Sequence, residues 1–202
     1  KFAKSELIFI TGHHHVRHGG EQGEIGQNTT IKLKQVLGGQ PINAKWIFPT
    51  GCYWLAPGTS GGLDFLRNKA PNALILGFRG SAPVRSWFFY ERLEQNLSII
   101  QKNNVSKTHG LSSQQIIETW KITVKEFHEK SEEIVNNLKT QPWWKNLKND
   151  TKQEIINSIR TLSLRKPSYF LPDSSGSGSG QLTTFKVTPS KANGEWVNKR
   201  LR

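Results

Sequence analysis

Three short, mainly apolar runs constrain the fold of this chain more than any other feature of its sequence. They are Leu7–Ile10, Ala44–Phe48 and Ala73–Phe78. Runs of this length, bounded by glycine or proline, are typical of strands buried on both faces of a sheet. Helical patterns lie between and after them, and strands that alternate with helices form parallel sheets. The sequence therefore predicts an α/β fold: a mostly parallel sheet with helices on both faces and a helical C-terminal extension.

Apolar residues at helical spacing and their capping residues predict the helices. The predicted helices lie within Asn28–Gly38, at Leu63–Lys69, after a cap at Ser86, from Ser112 or Ser113 to Pro142, and from Asp150 onward. The long helix that ends at Pro142 is the largest of these elements. Its length indicates that the second half of the chain is mainly helical.

Changes in composition divide the chain into four predicted segments. These are a core at residues 1–110 that contains the three apolar runs, a helical extension at 111–173, a Ser/Gly linker at 174–180 and a basic tail at 181–202. The linker reads SSGSGSG, which is typical of flexible joints and indicates an engineered connection. In the tail, Leu182–Val187 alternates like a strand, and we expect it to pair at an edge of the sheet.

The net charge of +13 and a pI near 10.0 indicate either an acidic partner or only a composition rich in lysine and asparagine. Nucleic acid, an anionic membrane surface and an acidic regulatory protein all fit this charge. No apolar stretch approaches the roughly 18 residues that a membrane-spanning helix requires. No secretion signal opens the sequence, so a cytoplasmic location is predicted.

The single cysteine, Cys52, excludes a disulfide framework within the chain and excludes zinc sites built from several thiolates. It follows the second apolar run, and His13 follows the first. The carboxyl ends of neighbouring parallel strands meet at one edge of a sheet, so imidazole and thiol are expected to face each other there. An adjacent imidazole favours the nucleophilic thiolate and protonates a leaving amine. The alternative is a buried structural cysteine beside a polar loop.

Three segments in this order resemble the caspase-like cysteine peptidases of clan CD, which include caspases, metacaspases and CHAT-type peptidases. They are Lys4–His13, which resembles the strand that ends in the catalytic histidine, Lys45–Cys52, which resembles the strand that ends in the nucleophile, and Asn72–Pro83, which resembles the later strand and turn. The resemblance implies limited proteolysis of a protein substrate by Cys52 and His13, without a cofactor or metal. His18, which also precedes a glycine, is the alternative histidine. Main-chain N–H groups of Cys52 and His14 are expected to stabilise the oxyanion.

The turn after the third run is expected to line the substrate pocket, through Arg79, Ser81 and Arg85. An inward guanidinium would select an acidic residue before the cleaved bond, because it pairs bidentately with a carboxylate. Asp64 is the nearest acidic candidate for a pocket that selects a basic residue.

The chain departs from the family in one respect, since family members have two strands before the histidine strand. The lack of methionine indicates that the sequence does not begin at its own translation start. The additional strands are therefore expected from a missing N-terminal segment, from a partner chain, or from the residues after the Ser/Gly linker.

Two other classes of function remain open on the sequence alone. A nucleic-acid binder or nuclease would use the positive charge and would stack bases on Trp143 and Trp144. An inactive caspase-like scaffold would bind a partner or regulator through the basic helical region Ser112–Arg165. The histidines at 13, 14, 15 and 18 have no second ligand at a defined spacing, so a metal site is not favoured.

Overall fold

The structure is a computed structural model that describes residues 7–10, 13–14, 23–25, 31–32, 39, 41–58, 62–83, 87–103, 110–187 and 194–202. For residues 13–14, 23–25, 31–32 and 103 it describes the backbone alone. The chain forms two compact units. The first comprises residues 1–82 and 164–202, and the second comprises residues 83–163.

The first unit is built on a six-stranded sheet in the order β1-β5-β6-β7-β8-β9. The strands of the chain are β1 (Leu7–Ile10), β2 (His13–His14), β3 (Gly23–Ile25), β4 (Ile31–Lys32), β5 (Trp46–Pro49), β6 (Leu74–Phe78), β7 (Pro167–Pro172), β8 (Gly180–Val187) and β9 (Gly194–Leu201). The three apolar runs form β1, β5 and β6, and these strands are parallel neighbours. The α/β class is therefore confirmed.

The prediction of a mostly parallel sheet is wrong, because the sheet is mixed and its antiparallel pairings outnumber the parallel ones. β6–β7, β7–β8 and β8–β9 are all antiparallel. The links from β7 to β8 and from β8 to β9 are short, and a parallel crossover requires about a dozen residues or more. Hairpins are the only connection that links of this length allow.

The helical region is not a C-terminal extension, because the chain returns to the sheet after it. β7 follows the helices and pairs with β6, and the Ser/Gly segment at 174–180 forms the connection from β7 to β8. Leu182–Val187, predicted as a strand, lies within β8. β8 is an interior strand, however, and β9 forms the edge.

A second, three-stranded antiparallel sheet consists of β2, β3 and β4. His13 pairs with Glu24, and Ile25 pairs with Ile31. Ile31 and Lys32 therefore do not lie in the helix predicted for that region. Pairing with β3 favours the β-branched Ile31 as a strand residue, and such tertiary contacts override a weak helical pattern.

Helix α1 (Leu63–Lys69) forms where it was predicted and packs on one face of the six-stranded sheet. The core on this face combines residues from α1, from both the parallel and the antiparallel strands, and from the turn after β5. Its members include Ile47, Trp54, Leu55, Leu63, Leu66, Ile75, Phe170 and Leu182, all 1% exposed or less. Burial of such side chains is the main favourable contribution to folding.

The second unit is helical. Its helices are α2 (Trp87–Asn103), α3 (Ser113–Glu129), α4 (Ser131–Lys139), a 3-10 helix (Pro142–Asn146) and α5 (Asn149–Arg160), and a 3-10 turn (Leu162–Arg165) spans its boundary. Ser112 caps α3 in a capping box with Gln115. No helix in the described part of the chain is both long and apolar enough to cross a membrane.

The long helix predicted to reach Pro142 is instead divided at Lys130. The backbone of Lys130 leaves the helical region, with φ −117° and ψ 26°, and its N–H closes α3 on the carbonyl of Glu126. Glu132 and Glu133 then occupy the first turn of α4. Acidic residues stabilise a helix N-terminus, which favours a new start at this point.

Candidate active site

The two candidate catalytic residues follow neighbouring strands at equivalent positions. Ile10 at the end of β1 is paired with Pro49 at the end of β5. His13 stands three residues beyond Ile10, and Cys52 stands three residues beyond Pro49. The N–H of Thr50 donates to the carbonyl of Ile10 at 2.8 Å, which fastens the two strand ends together.

His13 and His14 lie in β2, and the structure describes their backbone alone. The alternative histidine, His18, lies outside the described residues, as does Arg85. The backbones of His13 and Cys52 therefore hold equivalent positions along the chain, each three residues beyond the carboxyl end of a parallel strand.

The half-buried Cys52 lies in a turn that is anchored on both sides. Its Sγ accepts a hydrogen bond from the N–H of Ala82 at 3.3 Å. Trp54 and Leu55, two and three residues after Cys52, are buried in the core, and the N–H of Leu55 donates to the carbonyl of Phe78 in β6. The thiol is thus held at a fixed place beside the turn that follows β6.

Ser81, predicted to bind substrate, lies in this turn. Its Oγ is 3.2 Å from the hydroxyl of Tyr53, and the N–H of Tyr53 donates to the carbonyl of Gly80 at 2.8 Å. The segments after β5 and after β6 are therefore joined on both sides of Cys52.

Two residues with strained backbone conformations are hydrogen-bonded to the chain just after β6. Tyr53, with φ 57°, and Lys166, with φ 55°, are the non-glycine residues with positive φ in the described part of the chain. Tyr53 follows Cys52 directly, and the carbonyl of Lys166 accepts a hydrogen bond from the N–H of Arg79 at 3.0 Å. Such conformations cost on the order of 1–3 kcal/mol each and cluster at functional sites.

Arg165 joins the site from a distant part of the sequence, and sequence reasoning missed it. Its Nη1 donates to the carbonyl of Ala82 at 2.8 Å. Burial lowers the pKa of Arg165, and the nearby charge of Cys52 acts in the opposite direction. The antiparallel pairing of β7 with β6 places Arg165 beside the turn that holds Cys52. No local pattern in the sequence indicates that pairing.

The other predicted pocket residues are engaged elsewhere. Arg79 donates from Nη1 to the hydroxyl of Thr184 in β8 at 3.3 Å, and its Nε is buried without a hydrogen-bond partner among the described residues. Asp64 accepts from the N–H of Gly58 at 2.7 Å and pairs with Arg67 at 3.1 Å. Asp64 therefore stabilises the loop before α1.

The described residues contain no group of three or more histidine, cysteine or carboxylate side chains that could hold a metal ion. The side chains of the histidines at 13, 14, 15 and 18 lie outside that statement. Trp144 is buried, and the ring of Trp143 lies 4.9 Å from that of Trp87. Both indoles thus pack within the helical unit.

Comparisons with protein-family models, with curated proteins and with solved structures each found no match. Any function of this site must therefore be inferred from its geometry. A half-buried thiol in an anchored turn, a nearby guanidinium and a histidine after the adjacent strand are together suited to nucleophilic catalysis.

Proposed function

We propose that this chain is a caspase-like cysteine endopeptidase in which Cys52 is the nucleophile and His13 is its acid–base partner. One observation carries the proposal. His13 and Cys52 each follow a registered pair of strand ends by three residues, on neighbouring parallel strands. Side chains at such positions converge at one edge of a sheet.

The proposed reaction has two steps. The Cys52 thiolate attacks the carbonyl carbon of the scissile peptide, and the imidazolium of His13 gives its proton to the leaving amine as the C–N bond breaks. His13 then removes a proton from water, which attacks the resulting thioester, releases the acid product and restores the Cys52 thiolate beside the His13 imidazolium. The main-chain N–H groups of Cys52 and His14 are the proposed donors to the oxyanion in both steps.

Arg165 supports a preference for an acidic residue before the cleaved bond. Its guanidinium donates to the carbonyl of Ala82 in the turn that holds Cys52, whereas the guanidinium of Arg79 donates to Thr184 in β8. Arg85 remains a second proposed contributor. A guanidinium recognises a carboxylate through paired hydrogen bonds, and a substrate of this kind would be a specific protein rather than any unfolded chain.

The partners follow from the same resemblance. The strands after the Ser/Gly segment lie beyond β7, at the opposite side of the sheet from β1. They therefore do not supply the strands expected beside β1, and an N-terminal segment or a partner chain remains as the proposed source. An acidic regulatory protein and a cytoplasmic location complete the proposal, in keeping with the net charge of +13.

Labelling with iodoacetamide tests the dyad. We expect fast, stoichiometric alkylation of Cys52, and a large loss of rate in His13→Ala. Two matched controls, His18→Ala and His128→Ala, are expected to leave the rate unchanged. A loss in His18→Ala alone would move the catalytic role to that residue.

Cleavage of a peptide library with acidic, basic and apolar residues at the position before the bond tests the activity itself. We expect cleavage after acidic residues, abolished in Cys52→Ala. Slow alkylation that no histidine substitution changes would overturn the peptidase proposal. Fast alkylation without cleavage of any peptide would favour the inactive scaffold.

A further inference from the structure

The helical unit contains a cleft of ≈ 450 Å³ that is lined by residues of this unit alone. It lies between α2 and α4, over the C-terminal end of α3. Along α2 it extends from Phe88 to Gln95, and seven helical steps of 1.5 Å correspond to about 10 Å. Its volume is that of a typical ligand-binding pocket, and its length is too great to be filled by a small amine alone.

The floor and one rim of the cleft are apolar. Phe88 and Phe127 form the floor and are almost fully buried. Ile134 of α4 lines the side and is half-buried. At the rim, Trp143 packs edge-on against Trp87, which is 41% exposed. A large apolar side chain entering this cleft would be removed from water on several sides.

One carboxylate of the cleft is already neutralised within the protein. Glu126 of α3 accepts two hydrogen bonds of 3.0 Å from Arg92 and one of 3.1 Å from Asn96. Burial alone would raise the pKa of Glu126, but these hydrogen bonds lower it below its usual value. The Arg92–Glu126 pair therefore forms a fixed, neutral part of the wall.

Two other carboxylates line the cleft from opposite helices. Glu91 of α2 and Glu133 of α4 make no hydrogen bond or close ion pair with any residue that the structure describes, although the charge of Glu133 helps to raise the pKa of Arg92. Arg92 and Lys130 are the cations of the lining, and Arg92 is held by Glu126. The lining thus carries three carboxylates and two cations, in a chain whose net charge is +13.

We propose that this cleft is a docking site for a short peptide segment of a partner protein in which a lysine or arginine stands beside a large apolar residue. The apolar residue occupies the floor formed by Phe88 and Phe127. The basic side chain lies between Glu91 and Glu133 and against the face of Trp143, because carboxylates and indole rings both attract cations. The site is independent of Cys52 and of the proposed peptidase activity.

Other occupants match the lining less well. The phosphates of nucleic acid or of a membrane surface would be repelled by Glu91 and Glu133. A wholly apolar segment would cover the same two carboxylates without pairing them, and burial of an unpaired charge is costly. A basic and apolar segment satisfies both parts of the surface.

Selection from a display library of short random peptides, with the full chain as bait, tests the proposal. We expect enrichment of sequences in which lysine or arginine neighbours leucine, isoleucine, phenylalanine or tryptophan. The most enriched peptide is then synthesised with a fluorophore and titrated by fluorescence anisotropy. In the double variant Glu91→Gln and Glu133→Gln we expect its affinity to fall about tenfold or more, which corresponds to at least one ion pair.

Matched controls separate this surface from general charge and from folding. Glu94→Gln changes an exposed carboxylate of α2 outside the lining and is expected to leave the affinity unchanged. Cys52→Ala is also expected to bind normally, so the result is distinguishable from failure of the peptidase proposal. Circular dichroism melting verifies the fold of each variant, and the single variant Glu133→Gln provides the same readout with less perturbation.

Three results would overturn the proposal. They are a selection without enrichment, enrichment of acidic peptides, and an affinity that the Glu→Gln variants do not change. Equal loss of affinity in Glu94→Gln would also overturn it, since the peptide would then respond to overall charge rather than to this cleft.

Discussion

The parallel and antiparallel halves of the sheet differ in length, polarity and task. β1, β5 and β6 have four or five residues each, and every residue of β6 is buried. β8 and β9 have eight residues each, and exposed polar residues are frequent in β9. The parallel half leads into the candidate catalytic residues, whereas the antiparallel half brings Arg165 and Lys166 to support them. The candidate catalytic residues and the residues that contact their turns thus lie on opposite sides of the β6–β7 junction.

The two edges of the sheet differ as well. β9 presents the exposed charges of Lys199 and Arg200, which is how natural sheets discourage further strands from pairing at an edge. β1 contains no charged residue, and Leu7 is 44% exposed. This contrast supports the proposal that another strand covers the β1 edge.

The largest effect is expected at the junction between the halves, where Ile75 of β6 is paired with Phe170 of β7. Both side chains are fully buried in one core. Ile75→Ala and Phe170→Ala should each lower the free energy of unfolding by about 2–5 kcal/mol, because each leaves a cavity. Denaturant titration of both single variants and the double variant measures this.

If the halves form one cooperative unit, each variant unfolds in a single transition and the two effects are not additive. Additive effects or two separate transitions would show that the halves are independent. Leu164→Ala, at a position 62% exposed, is the control and should change stability by less than about 0.5 kcal/mol.

A second test concerns the close approach of the two halves at Gly80. A Cβ atom at this position would lie 2.9 Å from the carbonyl oxygen of Arg165. Gly80→Ala should therefore destabilise the first unit by about 1–3 kcal/mol and slow the alkylation of Cys52, because the turn must shift.

Gly110→Ala is the matched control, since no atom of the described residues lies within 4 Å of a Cβ atom there. Thermal melting and alkylation rates of both variants give the comparison. A stable Gly80→Ala variant with normal alkylation would mean that the antiparallel half does not hold the Cys52 turn.

A third test isolates the charge that the antiparallel half contributes. Arg165→Gln should slow iodoacetamide alkylation of Cys52 at neutral pH severalfold, because the substitution removes a cation whose charge interacts with Cys52. Arg79→Gln is the matched control, because Arg79 is bonded to Thr184. Equal rates in Arg165→Gln and the wild type would contradict a role for this cation.

The smallest effect is expected in the β7–β8 connection, where Ser175 donates two hydrogen bonds to Asp173. These bonds lower the pKa of Asp173 below its usual value. A carboxyl group whose pKa is lowered by folding stabilises the folded state in full when the pH is above the ordinary carboxyl pKa. This stabilisation is lost as the pH falls through the pKa of the folded state. The melting temperatures of the wild type and of Asp173→Asn should therefore differ at neutral pH and become equal in acid. A constant difference at every pH would contradict this.

The sequence predicted the parts of the fold that leave a local pattern. Buried parallel strands are apolar runs, so β1, β5 and β6 were predicted, and with them the adjacency of the two strand ends that precede His13 and Cys52. Helix α3 was visible from its apolar spacing and its cap at Ser112. Each of these signals depends on residues close together in the chain.

The parts that were missed depend on distant contacts. β7 reads Pro-Ser-Tyr-Phe-Leu-Pro and shows no clear strand pattern, so neither its antiparallel pairing nor the arrival of Arg165 was predictable. The positive φ of Tyr53 is equally invisible in sequence, since a bulky aromatic residue rarely adopts it. The strand at Ile31 and the helix break at Lys130 likewise arise from pairing and packing that periodicity does not encode.

The hydrogen bond between Arg165 and the carbonyl of Ala82 has a consequence for how the chain tolerates change in length. The helical unit leaves the first unit after Ala82 and returns at Leu164, so both crossings lie at one fastened point. For a segment whose ends already meet, the entropy of loop closure grows only slowly with the number of residues between them. Insertions and deletions among the helices therefore change the closure entropy of this segment only slightly, since its two ends are already joined through Arg165 and Ala82.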